Sequence, residues 1–200
     1  MNIRRGEHVV VLGVTGSGKT YWVLHTLIPA WSRVIVVDTE DYDFTSLPEV
    51  GIDRALSLAR GDKAFKVRIG ARGDRGPEDA ALMEHLGRGL LRDGHDLLLV
   101  FDEVTDFGDA AGLPRPLRSL VRKSRKRGIS LVMLTQRPAM LSKDAYTQAS
   151  HVIVFALNDY DAEAVRPYAP WVKERLPMVP RGSYRYLYQG PDGRVTCYSP

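Results

Sequence analysis

The sequence predicts a single α/β domain built on a mainly parallel β-sheet with helices on both faces. Three observations predict this fold class. Short apolar runs alternate along the chain with helix-length segments, which is typical of strand–helix–strand units. The runs are apolar throughout instead of alternating with polar residues, as expected for strands buried on both faces. Apolar residues make up 44% of the 200 residues, which is enough for one buried core.

The predicted elements follow in chain order. We expect strands at 8–12, 33–37, 66–69, 96–101, 129–134 and 152–157, and helices at about 19–30, 78–92, 115–127 and 159–168. Residues 39–51 and 70–77 look like loops, 105–116 is a turn-rich stretch, and 52–64 has no clear pattern. Two further strands, 184–188 and 194–198, flank a glycine- and proline-containing turn and predict a C-terminal β-hairpin. The domain spans 1–200, with its core at about 7–158 and a C-terminal helix and hairpin at 159–200.

Composition excludes several classes of protein. No apolar run approaches the roughly 18 residues of a membrane span, so we expect no intrinsic membrane segment and use inside a cell. The single cysteine, Cys197, excludes an internal disulfide and a zinc knuckle, and the five histidines lack metal-ligand spacing. The formal charge of +4 and the pI near 9.2 are compatible with a polyanionic partner.

A glycine-rich motif follows the first strand and predicts a nucleotide site. The residues from Gly13 to Thr20 match G-x-x-x-x-G-K-[S/T] between a strand and a helix, the context in which this loop binds phosphates. Lys19 is expected to reach the β- and γ-phosphates, and the Thr20 hydroxyl to bind Mg²⁺. The alternative is a plain glycine-rich turn. The predicted ligand is ATP with Mg²⁺, and the predicted binding residues are Gly13, Val14, Thr15, Gly16, Ser17, Gly18, Lys19, Thr20 and Tyr21.

Two acids follow the apolar run 97–101. We expect Asp102 to emerge beside Thr20 and to hold Mg²⁺ through water, and Glu103 to polarise the attacking water. An acidic turn after a strand is the alternative. Glu103 favours hydrolysis over a site that only binds.

A polar pair, Thr135 and Gln136, ends the strand expected at 129–134. Gln136 is the candidate that senses the γ-phosphate and orients water, because an amide both donates and accepts hydrogen bonds. An ordinary strand-to-loop turn is the alternative.

With these motifs in place, residues 125–138, which read Arg-Lys-Arg-Gly-Ile-Ser-Leu-Val-Met-Leu-Thr-Gln-Arg-Pro, resemble the FtsK–HerA superfamily of DNA-pumping ATPases. The resemblance covers about 9–157. The small size and the near absence of accessory domains look most like the genome-packaging ATPases of tailless viruses with an internal membrane. The resemblance implies a RecA-like core, a homo-oligomeric ring that is commonly hexameric, and double-stranded DNA as the track. It also implies capsid or membrane-vertex partners and a place in the host cytoplasm or the virion.

The superfamily completes each active site with an arginine from the neighbouring subunit. By its position before Gly128, Arg125 is the first candidate for this role and Arg122 the second. One side of the expected helix carries Arg115, Arg118, Arg122 and Arg125, and the other carries Leu117, Leu120, Val121 and Ser124. The basic side could contact a subunit or the DNA backbone, or be only a solvated face.

The function expected from these observations is ATP-driven translocation of double-stranded DNA into a preformed viral capsid. A plasmid or conjugation pump, a filamentous-phage-type morphogenesis ATPase and an ATP-binding regulatory module without DNA remain alternatives. The turn-rich stretch 105–116 could enter a ring pore or be a plain surface loop. For the alternating Tyr184, Tyr186 and Tyr188, sheet packing is favoured over stacking on nucleic-acid bases.

Overall fold

The computed structural model describes residues 2–39, 44–71, 73, 76–108 and 112–199. Within these residues, eight strands form one sheet in the order β3-β2-β4-β5-β1-β6-β7-β8. The strands are β1 His8–Leu12, β2 Arg33–Asp38, β3 Phe65–Gly70, β4 Leu98–Phe101, β5 Ser130–Thr135, β6 Ala149–Val154, β7 Tyr186–Gln189 and β8 Val195–Tyr198. β1 to β6 are parallel, and β7 and β8 add an antiparallel hairpin at the edge. The predicted fold class is confirmed.

Helices cover both faces of the sheet. They are α1 Lys19–Trp22, α2 Ile52–Arg60, α3 Pro77–Asp93, α4 Arg115–Lys123, α5 Lys143–Gln148, α6 Asp159–Val165 and α7 Val172–Arg175. After α1 the chain stays helical through a π turn at Val23–Leu27 and a 3-10 turn at Ile28–Ala30. None of the described helices is both long enough and apolar enough to cross a bilayer.

The side chains on the two faces of the central strands pack into two separate apolar layers. Val9 and Val11 pack with Trp22 and Leu27 of the α1 segment. Val10 and its neighbours on the other face pack with α2 to α6. Because both faces are buried, β1, β2, β4 and β5 contain no exposed position. This explains why the interior positions of these strands are apolar.

Three helices were not predicted. α2 lies in the stretch without a clear pattern; it buries only Ala55, Leu56 and Ala59, and Gly51 offers no side-chain cap. Small buried residues and a missing cap leave little periodic signal. The helices α5 and α7 were missed for a different reason: with six and four residues they are too short to show a periodic pattern.

Several predicted boundaries differ from the structure, and two of these differences concern segments that hold predicted site residues or support them. The strand expected at 152–157 is Ala149–Val154. Beyond it, Phe155 N donates to Leu12 O at 2.8 Å and Val14 N donates to Ala156 O at 2.9 Å, so this apolar stretch supports the glycine loop. The helix expected at 115–127 ends as an α-helix at Lys123 and continues as the 3-10 turn Ser124–Arg127. Gly128 follows with a φ of 67°, a conformation that favours glycine.

His8 is a titratable side chain in β1 that is held neutral mainly by its burial. Its Nδ1 accepts from Leu131 N at 3.1 Å, and Nε2 lies 3.0 Å from Val121 O. Only the neutral ring protonated at Nε2 satisfies both contacts. Burial lowers the pKa of His8 from its ordinary value of 6.5 to about 4, and the positive charge of Arg125 adds to this effect.

We therefore expect folding stability to fall in mild acid. Between these two pKa values the unfolded chain takes up a proton that folded His8 does not. The stabilisation is complete above about pH 6.5 and is lost as the pH falls towards about 4, by about 3 kcal/mol in all. Urea unfolding at several pH values gives the free energy of unfolding as a function of pH. The slope of this free energy against pH should be shallower for His8→Asn than for the exposed control His25→Asn. Equal slopes would contradict this account.

Candidate nucleotide and catalytic site

The topology brings the predicted site residues to one edge of the sheet. β4, β5 and β1 are neighbours in that order and run parallel, so their carboxyl ends share this edge. Asp102 follows β4, Gln136 follows β5, and Gly13 follows β1. Neighbouring strands lie about 4.8 Å apart, which places these three positions within roughly 10 Å. Ligands of open α/β sheets bind at this edge.

The glycine loop has the backbone shape that its motif predicts. Gly18 has a φ of 102°, which favours a residue without Cβ. A Cβ on Gly13 would lie 2.5 Å from Ser17 Oγ and 2.7 Å from Phe155 Cβ, so the loop closes tightly on itself. Ser17 Oγ is buried with no hydrogen-bond partner among the described residues. Thr15 and Gly16 at the loop tip are exposed. A tight loop with an orphaned hydroxyl and an exposed tip fits a phosphate cradle.

Lys19 lies against the start of this loop. Its Nζ donates to Gly13 O at 2.8 Å and to Val14 O at 3.2 Å, and the residue is only 8% exposed. These carbonyls hold the ammonium at the loop, next to the backbone that the motif assigns to phosphates.

Glu103 is the most constrained residue of the site. It is buried, and its φ of 50° is uncommon for a residue with a Cβ. One carboxylate oxygen accepts from Thr135 Oγ1 at 2.6 Å and from Thr105 Oγ1, and the other accepts from Gln136 N at 2.8 Å. A carboxylate offers about four acceptor positions. These three donors fix the carboxylate and leave acceptor capacity for one further donor, such as a water.

Gln136 connects the glycine loop to Glu103. Its side-chain Oε1 accepts a hydrogen bond from Thr15 Oγ1, while its backbone N–H donates to Glu103. Thr135 makes a second link between the glycine loop and Glu103, because its carbonyl accepts from Gly13 N at 3.3 Å and its hydroxyl donates to Glu103. The end of β5 therefore joins the two predicted motifs.

Asp102 and Thr20 are the predicted Mg²⁺ residues. Asp102 is 5% exposed, its N–H donates to Val37 O at 3.0 Å, and its carbonyl accepts from Thr39 Oγ1 at 3.3 Å. No group of three or more His, Cys, Asp or Glu side chains among the described residues could hold a metal. One hydroxyl and one carboxylate nevertheless fit Mg²⁺, which takes few protein ligands beside phosphate and water.

Arg125 lies at the opposite edge of the sheet. It donates to Gln148 O and, at 3.2 Å, to Ser150 Oγ, and its carbonyl lies beside Gly6. These residues precede or begin β6 and β1, so Arg125 is at the amino ends of the strands. The carboxyl edge of its own chain is a strand length of about 16 Å away.

The basic face of α4 is less free than the sequence suggested. Arg122 NH2 lies 3.0 and 3.1 Å from the two oxygens of Asp144, and Arg118 Nε lies 3.6 Å from the same carboxylate. Asp144 belongs to α5, which the sequence did not predict. Arg122 is therefore a poorer candidate than Arg125 for a contact with another subunit. The opposite face is buried as expected, at Leu117, Leu120, Val121 and Ser124.

Two of the three alternating tyrosines pack within the sheet, as the sequence favoured. Tyr186 stacks on Tyr198 with ring centroids 5.3 Å apart, and Tyr188 OH lies 2.9 Å from His151 Nδ1. Tyr184 precedes β7 and is 56% exposed. Of the stretch expected as a turn at 105–116, residues 109–111 lie outside the described residues, while Phe107 and Leu113 are buried.

Sequence reasoning missed two hydroxyl donors to Glu103. Thr135 was considered only as the weaker candidate of the polar pair with Gln136, and Thr105 only as the first residue of a turn-rich stretch. A hydroxyl two residues after the acid is a local signal that could have identified Thr105.

The fold and this loop are those of the P-loop NTPases. Structures of the genome-packaging NTPase B204 from Sulfolobus turreted icosahedral virus 2 match the chain. With ATPγS bound, B204 gives a TM-score of 0.77 at 19% identity, over 99% of both chains. The pCW3 conjugation coupling protein TcpA gives 0.66 at 18% identity, over 100% of this chain and 61% of TcpA. The resemblance predicted from residues 125–138 is thus confirmed at the level of the fold.

The chain is also similar in sequence to a phage protein. Protein P9 of Pseudoalteromonas phage PM2 is 26% identical over 157 residues, which cover 78% of this chain and 71% of P9. No protein-family model matches the sequence.

Proposed function

We propose that this protein is an ATP-hydrolysing motor that translocates double-stranded DNA, and that it packages a viral genome into a preformed capsid. The observation that carries the proposal is the match to B204, which extends over 99% of both chains. The hydrogen bonds that join the glycine loop, Gln136 and Glu103 support hydrolysis. The proposed site of action is the host cytoplasm or the virion, with capsid or membrane-vertex proteins as partners.

Each residue of the carboxyl edge has a proposed role. On ATP binding, the Lys19 ammonium contacts phosphate oxygens in place of its present carbonyl partners. Thr20 holds Mg²⁺ directly, and Asp102 holds it through water. Bound Mg²⁺ would neutralise charge on the phosphates. Glu103 accepts a hydrogen bond from the attacking water at its remaining acceptor position. Gln136, whose side chain contacts the loop tip at Thr15, senses the γ-phosphate.

We propose a homo-oligomeric ring, most specifically a hexamer, as the working form. Arg125 cannot reach the site of its own chain but is accessible at the surface. In a ring it completes the neighbour's site. Arg115, Lys123 and Lys126 are exposed on the same segment and would contact DNA phosphates. Such contacts carry no sequence information.

The second candidate is a conjugative DNA pump. Its support is the match to TcpA over 100% of this chain. A conjugative pump would use the same site for the same hydrolysis. The two candidate functions differ only in where the DNA comes from and where it goes.

We expect ATP hydrolysis to be stimulated by double-stranded DNA regardless of sequence. Duplex affinity should fall at least about tenfold between about 50 and 200 mM NaCl, because counterion release dominates phosphate contacts. The measurement is steady-state hydrolysis and fluorescence anisotropy with two unrelated duplexes. Lys19→Ala is the matched control, which should bind duplex but hydrolyse nothing. Absence of DNA binding, or binding insensitive to salt, would favour a regulatory module over a motor.

A further inference from the structure

Arg137 is an exposed cationic residue at the carboxyl edge of the sheet, and none of the roles above uses it. It follows Gln136 directly after the end of β5. Within the described residues its guanidinium group makes no hydrogen bond and no ion pair. Arg118 and Arg122, by contrast, are both paired with Asp144. An arginine that no acid neutralises, close to a phosphate loop, is suited to an anionic ligand.

The backbone of Arg137 is held in place on both sides. Its N–H donates to Thr135 Oγ1 at 2.9 Å, and its carbonyl accepts from Met140 N at 2.9 Å. The next residue, Pro138, is buried, and its carbonyl accepts from Tyr146 OH at 2.9 Å. Groups fixed before the ligand arrives need little reorganisation during the reaction. These contacts fix the point at the rim of the nucleotide site from which the Arg137 side chain extends.

Arg137 is one residue from the link between Glu103 and the loop tip. Gln136 N donates to Glu103 at 2.8 Å, and the Gln136 side chain accepts from Thr15 Oγ1. Consecutive Cα atoms are 3.8 Å apart, so the long side chain of Arg137 begins within reach of the same space. The γ-phosphate is expected in this space, because the lysine of the motif serves the β- and γ-phosphates. The Lys19 ammonium indeed lies at the start of the loop.

The charges at this edge favour a further cation. Asp102 and Glu103 are buried carboxylates and Lys19 is a buried ammonium, so these three side chains leave one negative charge in excess. Mg·ATP is itself an anion, and cations that neutralise charge on the γ-phosphate accelerate phosphoryl transfer. Arg137 can supply this charge from the same chain. Its planar guanidinium can also bind two phosphate oxygens at once.

We propose that Arg137 is a further catalytic residue, which binds the γ-phosphate of ATP held by its own chain. The inference rests on the proposed ATP hydrolysis. Its role differs from that of Arg125, which lies at the opposite edge and would act on the neighbouring chain. Because charge on the oxygens of the transferred phosphoryl group is stabilised in the transition state, the same contact strengthens ATP binding and speeds hydrolysis.

Nucleotides with and without a γ-phosphate test this contact. Calorimetry measures the Kd of Mg·ADP and of the magnesium complex of AMPPCP, an ATP analogue that is not hydrolysed. Arg137→Ala should bind AMPPCP about tenfold more weakly, the effect of losing a hydrogen bond to a charged group, and bind ADP as the wild type does. Its kcat should fall about 10²-fold or more, as after the loss of a preorganised donor. Arg88→Ala, which removes an exposed arginine of α3 paired with Glu84, is the matched control and should behave as wild type.

Mixed assemblies show on which chain Arg137 acts. Arg137 and the glycine loop share a chain, so a mixture of Arg137→Ala and Lys19→Ala subunits contains no intact site and should stay inactive. A mixture of Arg137→Ala and Arg125→Ala subunits should regain part of the lost hydrolysis. In that mixture an Arg125→Ala subunit keeps its loop and Arg137, and its neighbour supplies Arg125. Differently labelled subunits verify that the variants co-assemble.

Three results would overturn the assignment. They are equal weakening of ADP and AMPPCP, a wild-type kcat in Arg137→Ala, and recovered hydrolysis in the mixture with Lys19→Ala, which would place the contact between chains. Urea unfolding verifies that Arg137→Ala is as stable as the wild type. Failure of the wild type to bind either nucleotide is a separate result, because it would refute the proposed ATPase function itself.

Discussion

Arg125→Ala is expected to lower kcat for ATP hydrolysis by about 10³-fold or more while leaving ATP affinity unchanged. An arginine supplied to a neighbouring site stabilises transition-state charge and is worth about 10³ to 10⁵ in rate. Arg125 meets the geometric condition, because its contacts are with Gln148 and Ser150 at the edge opposite the glycine loop. Lys143→Ala, at an exposed basic position of α5 with no proposed role, should keep most of its activity.

Mixing variants shows whether Arg125 acts between subunits. Arg125→Ala subunits keep an intact glycine loop, and Lys19→Ala subunits keep an intact arginine. In mixed rings some interfaces combine the two intact parts, so part of the lost hydrolysis should return. Wild-type activity of Arg125→Ala alone would refute the role, and Arg122 would be tested next. Co-assembly of the two variants, measured with differently labelled subunits, is the control for the mixture.

Glu103→Gln is expected to lower turnover by about 10²-fold or more and to retain binding of Mg·ATP. An amide cannot act as the base towards water, and a lost general base costs about 10² to 10⁴ in rate. The amide oxygen can still accept from Gln136 N, but the NH2 group then faces the hydroxyls of Thr105 and Thr135, which have to accept instead of donate. Three hydrogen bonds to a charged acceptor become neutral ones, so stability should fall by about 1–3 kcal/mol.

Parallel measurements separate the two effects of this change. Turnover is measured well below the melting temperature, ATP binding by calorimetry and stability by urea unfolding. Glu174→Gln, at an exposed position of α7, is the matched control and should behave as wild type. Full turnover in folded Glu103→Gln would make Glu103 a structural anchor for the end of β5.

The sequence predicted the sheet and its loop because their signals are local. Strands buried on both faces are apolar at every position, as in β4. The glycine loop is one contiguous motif between a strand and a helix. Helix α2 was not predicted, because two of its three buried residues are alanines and its N-cap is a glycine.

The rest of the site depends on contacts that are distant in sequence. Thr135 lies 32 residues from Glu103, and no pattern in either segment reveals their 2.6 Å contact. Asp144 neutralises Arg122 from a distance of 22 residues, on a helix too short to predict. Tyr184 reaches Gly18 only because the C-terminal hairpin folds back beside β6. Topology sets these neighbours, and single-segment patterns do not encode it.

Displacement of a third strand from a DNA triplex tests translocation most directly. A motor that moves along duplex DNA removes a bound third strand without separating the duplex. The account predicts ATP-dependent displacement by the wild type, on duplexes of unrelated sequence, and none by Lys19→Ala. ATP hydrolysis by assembled, DNA-bound wild-type protein without any displacement would contradict the proposal that this protein is a DNA motor.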